Sequence, residues 1–252
     1  MAPDDPMDSV DAAALTGTRP LLALHGLQAG YGRKHVVFDV DMHVGEGEIV
    51  GVLGHNGSGK TTTIRTVLGI NRALGGRIEF DGVDVTKSGS RHNVKAGMAM
   101  IPSERFVFAD LTVRDNLLLG AENDPDPARR AKRMNMVHGL FPILIERAQQ
   151  VAGTMSGGQQ RMVSLGMALM ASPKLLMLDE PSLGLAPMVV QQIFNTVRRL
   201  ADEEGLSVLL LEQNVGQALR IVDRVYVMRS GRVIVEETVA QMKSRDSYWD
   251  LF

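Results

Sequence analysis

Gly54-His55-Asn56-Gly57-Ser58-Gly59-Lys60-Thr61-Thr62 is the stretch whose reading decides the fold of this chain. Before it stands Glu48-Ile49-Val50-Gly51-Val52-Leu53, a short, largely β-branched apolar run that reads as a buried strand. After it, Lys60 to Leu68 reads as a helix closed by Gly69. Strand, glycine loop and helix in that order form the setting that a phosphate-binding loop requires. Gly54, Gly57 and Gly59 permit a tight turn, so that successive N–H groups converge on phosphate oxygens. The helix N-terminus adds partial positive charge at the same point. Lys60 supplies a mobile cation for β- and γ-phosphates and Thr61 a hydroxyl for Mg²⁺. The bland alternative is a glycine-rich turn that binds nothing.

The chain has 252 residues, which suits one large α/β domain or a core with a subdomain. A net charge of −2 argues against a surface built to hold nucleic acid, so none is expected as a partner. Cysteine is absent, which excludes disulfides and thiolate metal sites. No apolar run approaches the length of a membrane span. Residues 1–20, with Asp4, Asp5, Asp8 and Asp11, lack the basic start and apolar centre of a signal peptide and are expected to be a disordered leader. A cytoplasmic location follows as the expectation, with any membrane association made through a partner.

Ordered structure is expected from Leu21. Leu21 to Leu27 reads as a strand, and Gly30-Tyr31-Gly32 as a turn presenting an aromatic ring. Phe38, Val40, Met42 and Val44 alternate with Asp39, Asp41 and His43, the pattern of a strand with one wet face. Ile78-Glu79-Phe80 ends at the turn signal Asp81-Gly82. Antiparallel strands are thus expected around the strand that feeds the loop. Residues 88–171 read as a mainly helical subdomain inserted into a core made of 21–87 and 172–252. Within it, Thr112 and Asp115 form a capping box, and Ala128 to Leu140 is helical. Phe106, Val107 and Phe108 fall in a loop whose apolar surface needs cover. Further on, Pro187 starts a helix with Val189, Val190, Ile193, Phe194, Val197 and Leu200 at helical spacing, and Gly205 ends it. Ser207 to Leu211 reads as a buried strand, and Val225 to Val235 as a closing hairpin turned at Ser230-Gly231.

A second constellation is Asp179-Glu180, at the end of the apolar strand Leu175-Leu176-Met177-Leu178. The carboxyl ends of strands in a parallel sheet are where ligands bind. Asp179 there can hold Mg²⁺, and Glu180 can orient or deprotonate an attacking water. Two exposed acids at a strand end are the alternative. The third piece is Met155-Ser156-Gly157-Gly158-Gln159-Gln160, ahead of a helix with Met162, Leu165, Gly166 and Leu169 on one face. A serine hydroxyl and backbone N–H groups at a helix N-terminus make a second anion site, or merely a cap and a turn.

Taken together, these three segments resemble the ATP-binding subunit of ABC transporters, over Leu21 to about Met242. The Ser156-Gly157-Gly158-Gln159 segment is similar to that family's signature, with Met155 where leucine is usual. The resemblance implies a P-loop NTPase core of ABC ATPase type, an α/β fold with an antiparallel β subdomain and the helical insertion. It further implies that Tyr31 stacks on adenine and that Gly54 to Thr62 hold the phosphates. Asp179 would be the Mg²⁺-associated acid and Glu180 the catalytic glutamate. Ser182-Leu183-Gly184-Leu185 match the family's dimer-contacting loop. Two such domains close head to tail around two ATP molecules, so each signature segment serves the partner's γ-phosphate.

Two positions depart from the family pattern. Ser103 stands where glutamine is common and is too short to replace it, so the adjacent Glu104, or a water, is the candidate to contact Mg²⁺. Gln213 stands where a switch histidine is typical. Its amide can hydrogen-bond a γ-phosphate but does not titrate near neutral pH. Glu212-Gln213-Asn214 resembles one subgroup, the shorter ATPases of branched-chain amino-acid importers. The implied activity is Mg²⁺-dependent ATP hydrolysis powering uptake of branched-chain amino acids or related polar solutes. The implied partners are permease subunits, a second ATPase chain (a sister or itself) and, indirectly, an extracytoplasmic solute-binding protein. The place implied is the cytosolic face of a membrane. Alternatives are another transported solute, export, or a non-transport ATPase of this type acting on DNA or the ribosome. Paired cassettes, coiled coils, zinc cysteines and basic arms, which mark such proteins, are absent from the sequence.

Overall fold

Strand β3 (Ile49–Leu53) is buried at every position, as its unbroken apolar sequence requires of a strand covered on both faces. In the computed structural model, which describes residues 19–104, 107–245, 247 and 251, β3 lies inside a six-stranded sheet. Residues 1–18 of the expected leader, and Phe106, lie outside the described residues. The sheet's other strands are β6 (Met98–Ile101), β7 (Leu175–Asp179), β8 (Ser207–Glu212), β9 (Arg224–Arg229) and β10 (Arg232–Thr238), in the order β10-β9-β3-β8-β7-β6. All its pairings are parallel except the β9–β10 hairpin, whose turn puts Ser230 and Gly231 at positive φ. Because β3, β6, β7 and β8 run in one direction, the segments that follow Leu53, Ile101, Asp179 and Glu212 emerge along a single edge. That edge is where a parallel sheet binds ligands.

A second, antiparallel sheet has the order β2-β1-β4-β5, with β1 Leu22–Tyr31, β2 Lys34–Val44, β4 Ala73–Phe80 and β5 Val83–Asp84. One apolar cluster joins the two sheets: Leu22, Leu24 and Val40 pack with Val50, Val52, Met177, Leu209 and Leu211. The expected turn at Gly30-Tyr31-Gly32 lies further on. Tyr31 is paired with Lys34 as the last residue of β1, and Gly30 pairs with His35. A Cβ at Gly30 would sit 2.0 Å from the Lys34 carbonyl oxygen, so glycine serves close strand approach here and not the turn. The alternation in β2 holds from Val40 to Val44, but Val37, not Phe38, is buried before it. Asp39 has φ 48, and this left-handed residue shifts the period by one.

Met98–Ile101, assigned from sequence to the helical insertion, is the edge strand of the main sheet, paired Met98 to Leu175 through Ile101 to Leu178. Four apolar residues carry no period that separates strand from helix; the neighbouring β7 decides it. The helices that follow are α3 (Val113–Gly120), α4 (Pro127–Leu140), α5 (Ile143–Glu146) and α6 (Gly157–Met170), after α1 (Lys60–Val67) and α2 (Ser90–Ala96). Thr112 caps α3, accepting from the Asp115 N–H at 3.1 Å, and Asp126 caps α4, accepting from the Ala128 N–H at 2.9 Å. α6 is the centre of this group. A Cβ on its Gly166 would meet Leu117 at 2.8 Å and Val137 at 2.9 Å, so the missing side chain lets α3 and α4 close on it. Leu117, Val137, Phe141 and Leu165 share one apolar cluster with Ile49, Leu53, Leu178 and Leu210 of the sheet. α7 (Pro187–Glu204) buries Val190, Ile193, Phe194, Val197 and Leu200 of the predicted stripe, while Val189 at its start is only partly buried, and Gly205 ends the helix at φ 67. Two short helices, α8 (Val215–Ala218) and α9 (Val239–Lys243), complete the described fold.

Candidate functional site

The loop between β3 and α1 takes its shape from glycine. Gly57 and Gly59 have φ 83 and 106, and a Cβ on Gly54 would lie 2.4 Å from the Met228 carbonyl oxygen. A Cβ on Gly57 would meet nothing within 4 Å, so conformation and not space demands glycine there, and the loop face beside it stays open. Ser58 Oγ is buried with no hydrogen-bond partner among the described residues. Lys60, only 4 % exposed, donates to the Gly54 carbonyl at 2.7 Å and the His55 carbonyl at 3.2 Å, and forms an ion pair with Glu180 Oε1 at 3.2 Å. A cation thus lies folded back into the loop that an anion would occupy.

Thr61 Oγ1 donates to Asp179 Oδ1 at 3.1 Å, which joins the start of α1 to the end of β7. Asp179 is 2 % exposed, and burial pushes its carboxyl above the ordinary range. The Thr61 hydrogen bond opposes that push, Glu180 adds to it, and Lys60 and Arg161 work against it. Glu180 stands at φ 46, its N–H bonded to the Leu211 carbonyl at 2.9 Å. A non-glycine residue held left-handed at the mouth of a site is a recurrent place for stored backbone strain. Thr61 and Asp179 offer two hard oxygen donors, and no group of three or more His, Asp or Glu among the described residues could enclose a metal. That donor set fits Mg²⁺, which takes one or two protein oxygens and completes its shell from phosphate and water.

Gln213, directly after β8, has its Nε2 3.5 Å from His55 Nδ1, so it lies against the loop between β3 and α1. Tyr31 is 49 % exposed, its hydroxyl 3.4 Å from Thr62 Oγ1, leaving ring surface beside the loop. Ser156 caps α6 in a reciprocal box with Gln159: the Ser156 N–H donates to Gln159 Oε1 at 3.1 Å, and the Gln159 N–H to Ser156 Oγ at 3.4 Å. Gly158 serves packing, since a Cβ there would meet Val189 Cγ1 of α7 at 2.7 Å. Glu104 is exposed, and the hydrogen bond between Thr61 and Asp179 forms without it.

Two buried charges escaped the motif reading. Arg161, 2 % exposed on α6, donates to the Pro102 carbonyl at 2.8 Å and the Ser103 carbonyl at 3.0 Å. Burial draws its pKa down to about 10, with Glu212 and Asp179 acting against that. Glu212, the last residue of β8, is 1 % exposed, and its carboxylate accepts from Ser182 N at 3.0 Å and Ser182 Oγ at 2.9 Å. The signal available in the sequence was a charge continuing an apolar stretch: Glu212 directly after Val208 to Leu211, and Arg161 beside Met162 and Val163.

The family model for ABC transporters matches residues 37–183. The high-affinity branched-chain amino acid transport ATP-binding protein BraG of Pseudomonas aeruginosa is 42 % identical over 233 residues, covering 90 % of this chain and 99 % of BraG. The lipopolysaccharide export system ATP-binding protein LptB of Escherichia coli is 35 % identical over 224 residues, covering 88 % of this chain and 92 % of LptB. Among solved structures, the ADP conformation of MJ1267, an ATP-binding cassette of an ABC transporter, superposes with a TM-score of 0.83 at 27 % identity, over 93 % of this chain and 97 % of that one. The chain belongs to the ATP-binding subunits of ABC transporters, ATPases that work with transmembrane permeases and whose hydrolysis is coupled to transport.

Proposed function

We propose that this chain is the ATPase of an importer for branched-chain amino acids or related small polar solutes. The observation that carries the reading is its 42 % identity to BraG across nearly all of that protein, a relative named for branched-chain amino acid transport. The Glu212-Gln213-Asn214 segment agrees with it. In this reading Lys60 leaves its carbonyl partners and Glu180 to meet the β- and γ-phosphates, and the loop N–H groups hold their oxygens. Tyr31 offers its exposed ring to adenine, with His55, Asn56, Gly57, Ser58, Gly59 and Thr62 lining the phosphates. Glu180 takes the proton of the attacking water or orients it, and Gln213 contacts the γ-phosphate. Mg²⁺, held by Thr61 and Asp179, neutralises phosphate charge when bound. Glu104, exposed and outside the Thr61–Asp179 pair, has less support as a third ligand.

Ser156 to Gln159 complete the site of a second ATPase chain, itself or a sister, in a head-to-tail pair. No described helix is long and apolar enough to cross a membrane, so attachment to the cytosolic face would come through the permease. A solute-binding protein would act outside the membrane. The similarity to LptB favours a second reading, lipid export, at lower identity. Purification from native membranes with identification of the permease chains, followed by reconstituted uptake of labelled leucine, tests the proposal. ATP-dependent leucine uptake that Lys60→Ala abolishes is expected. Permease chains that carry neither an amino acid nor another small polar solute, or that move lipid, would overturn it.

A further inference from the structure

We infer that Glu212 is a positioning residue for hydrolysis: its carboxylate braces the turn that carries Glu180 and ties that turn to the strand leading into Gln213. The inference rests on the reading of Glu180 as the base. Glu180 has φ 46, a conformation that a non-glycine residue keeps only where its surroundings hold it. The holding comes from β8 at two successive residues. The Leu211 carbonyl accepts from Glu180 N–H at 2.9 Å. Glu212 then accepts from Ser182 twice, from N at 3.0 Å and from Oγ at 2.9 Å. The Leu183 N–H closes the turn onto the Glu180 carbonyl at 3.1 Å.

A carboxylate at 1 % exposure, in a strand otherwise apolar from Val208 to Leu211, carries a desolvation cost that an apolar side chain would avoid. Besides the Asn214 N–H, its oxygens accept from the residue two positions after Glu180, which is where a hydrogen bond can hold the glutamate's backbone without touching its carboxylate. Gln213 follows Glu212 directly, so a single residue fixes both the turn and the start of the switch segment.

The test is ATP turnover of the assembled transporter carrying Glu212→Ala, Glu212→Gln, Ser182→Ala or the Glu212→Ala/Ser182→Ala pair, with thermal melts to confirm folding. Glu212→Ala is expected to lower kcat by about 10- to 100-fold with KM for ATP within about twofold, the scale of a displaced catalytic group. Glu212→Gln is expected to recover most of that loss, because a carboxamide can accept from Ser182 N and donate to Ser182 Oγ. Ser182→Ala should fall between, and the double variant should be no slower than Glu212→Ala. If Glu212→Ala fails to fold, the contrast between Glu212→Gln and Ser182→Ala decides. Wild-type turnover in folded Ser182→Ala, or Glu212→Gln as slow as Glu212→Ala, would overturn the brace. Glu180→Gln, run alongside, separates the two ideas: full turnover there removes the base assignment, whatever happens at position 212.

Discussion

Glu180→Gln keeps the size of the side chain and removes its charge and basicity. In the structure the carboxylate does two things: it faces the site from a left-handed backbone, and it pairs with Lys60 at 3.2 Å. Losing the base should lower turnover by about 10²- to 10⁴-fold. Losing the pair acts the other way on binding. Lys60 must leave Glu180 to reach phosphate, and an ion pair of this kind contributes about 1 kcal/mol that a neutral amide would not. ATP should therefore bind about fivefold more tightly to the variant. The two effects have opposite signs, which a generally destabilised protein would not produce. Turnover is measured at saturating ATP with the partner chains present, and affinity by equilibrium titration with a fluorescent ATP analogue. Turnover within a few-fold of wild type, or weakened ATP binding, would refute the reasoning.

Lys60→Ala removes three buried donors and the cation that meets phosphate; ATP affinity should fall at least about tenfold, read by the same titration. Gln213→Ala should lower kcat by about tenfold or more while leaving ATP affinity nearly unchanged, since its amide is expected to meet the γ-phosphate in the closed state. Gly158→Ala places a methyl group 2.7 Å from Val189 Cγ1 and should cost about 1–3 kcal/mol in urea unfolding, restored by Val189→Ala. His43 is held below its ordinary pKa of 6.5, by burial first and by the positive charge of Arg224 second, with Glu236 and Glu48 opposing. The unfolded chain then takes up the proton first, so this contribution to stability is complete above about pH 6.5 and is lost as pH falls below it. Urea midpoints at about pH 8 and about pH 5.5 should differ less in His43→Asn than in wild type.

Much of the site was legible because its chemistry is local. The phosphate loop needs glycines at fixed offsets between a buried strand and a helix, and the loop's φ values of 83 and 106 at Gly57 and Gly59 answer that need. The Ser156 cap, the α7 stripe and the hairpin at Ser230-Gly231 are likewise settled within a few residues of chain. Asp179-Glu180 could be placed from its position alone, at the carboxyl end of an apolar strand.

What the chain's order of residues left open depends on neighbours distant in sequence. Met98–Ile101 is a strand because β7, far along the chain, supplies its hydrogen bonds. Glu212 and Arg161 gain a structural role only when the folded chain brings Ser182 to one and the Pro102 and Ser103 carbonyls to the other. Sequence alone marked the groups proposed to bind phosphate, since that capacity resides in residue type and local backbone. Tertiary structure decided how those groups are held, because a buried charge has a role only once the partners that satisfy it have been brought within hydrogen-bonding distance.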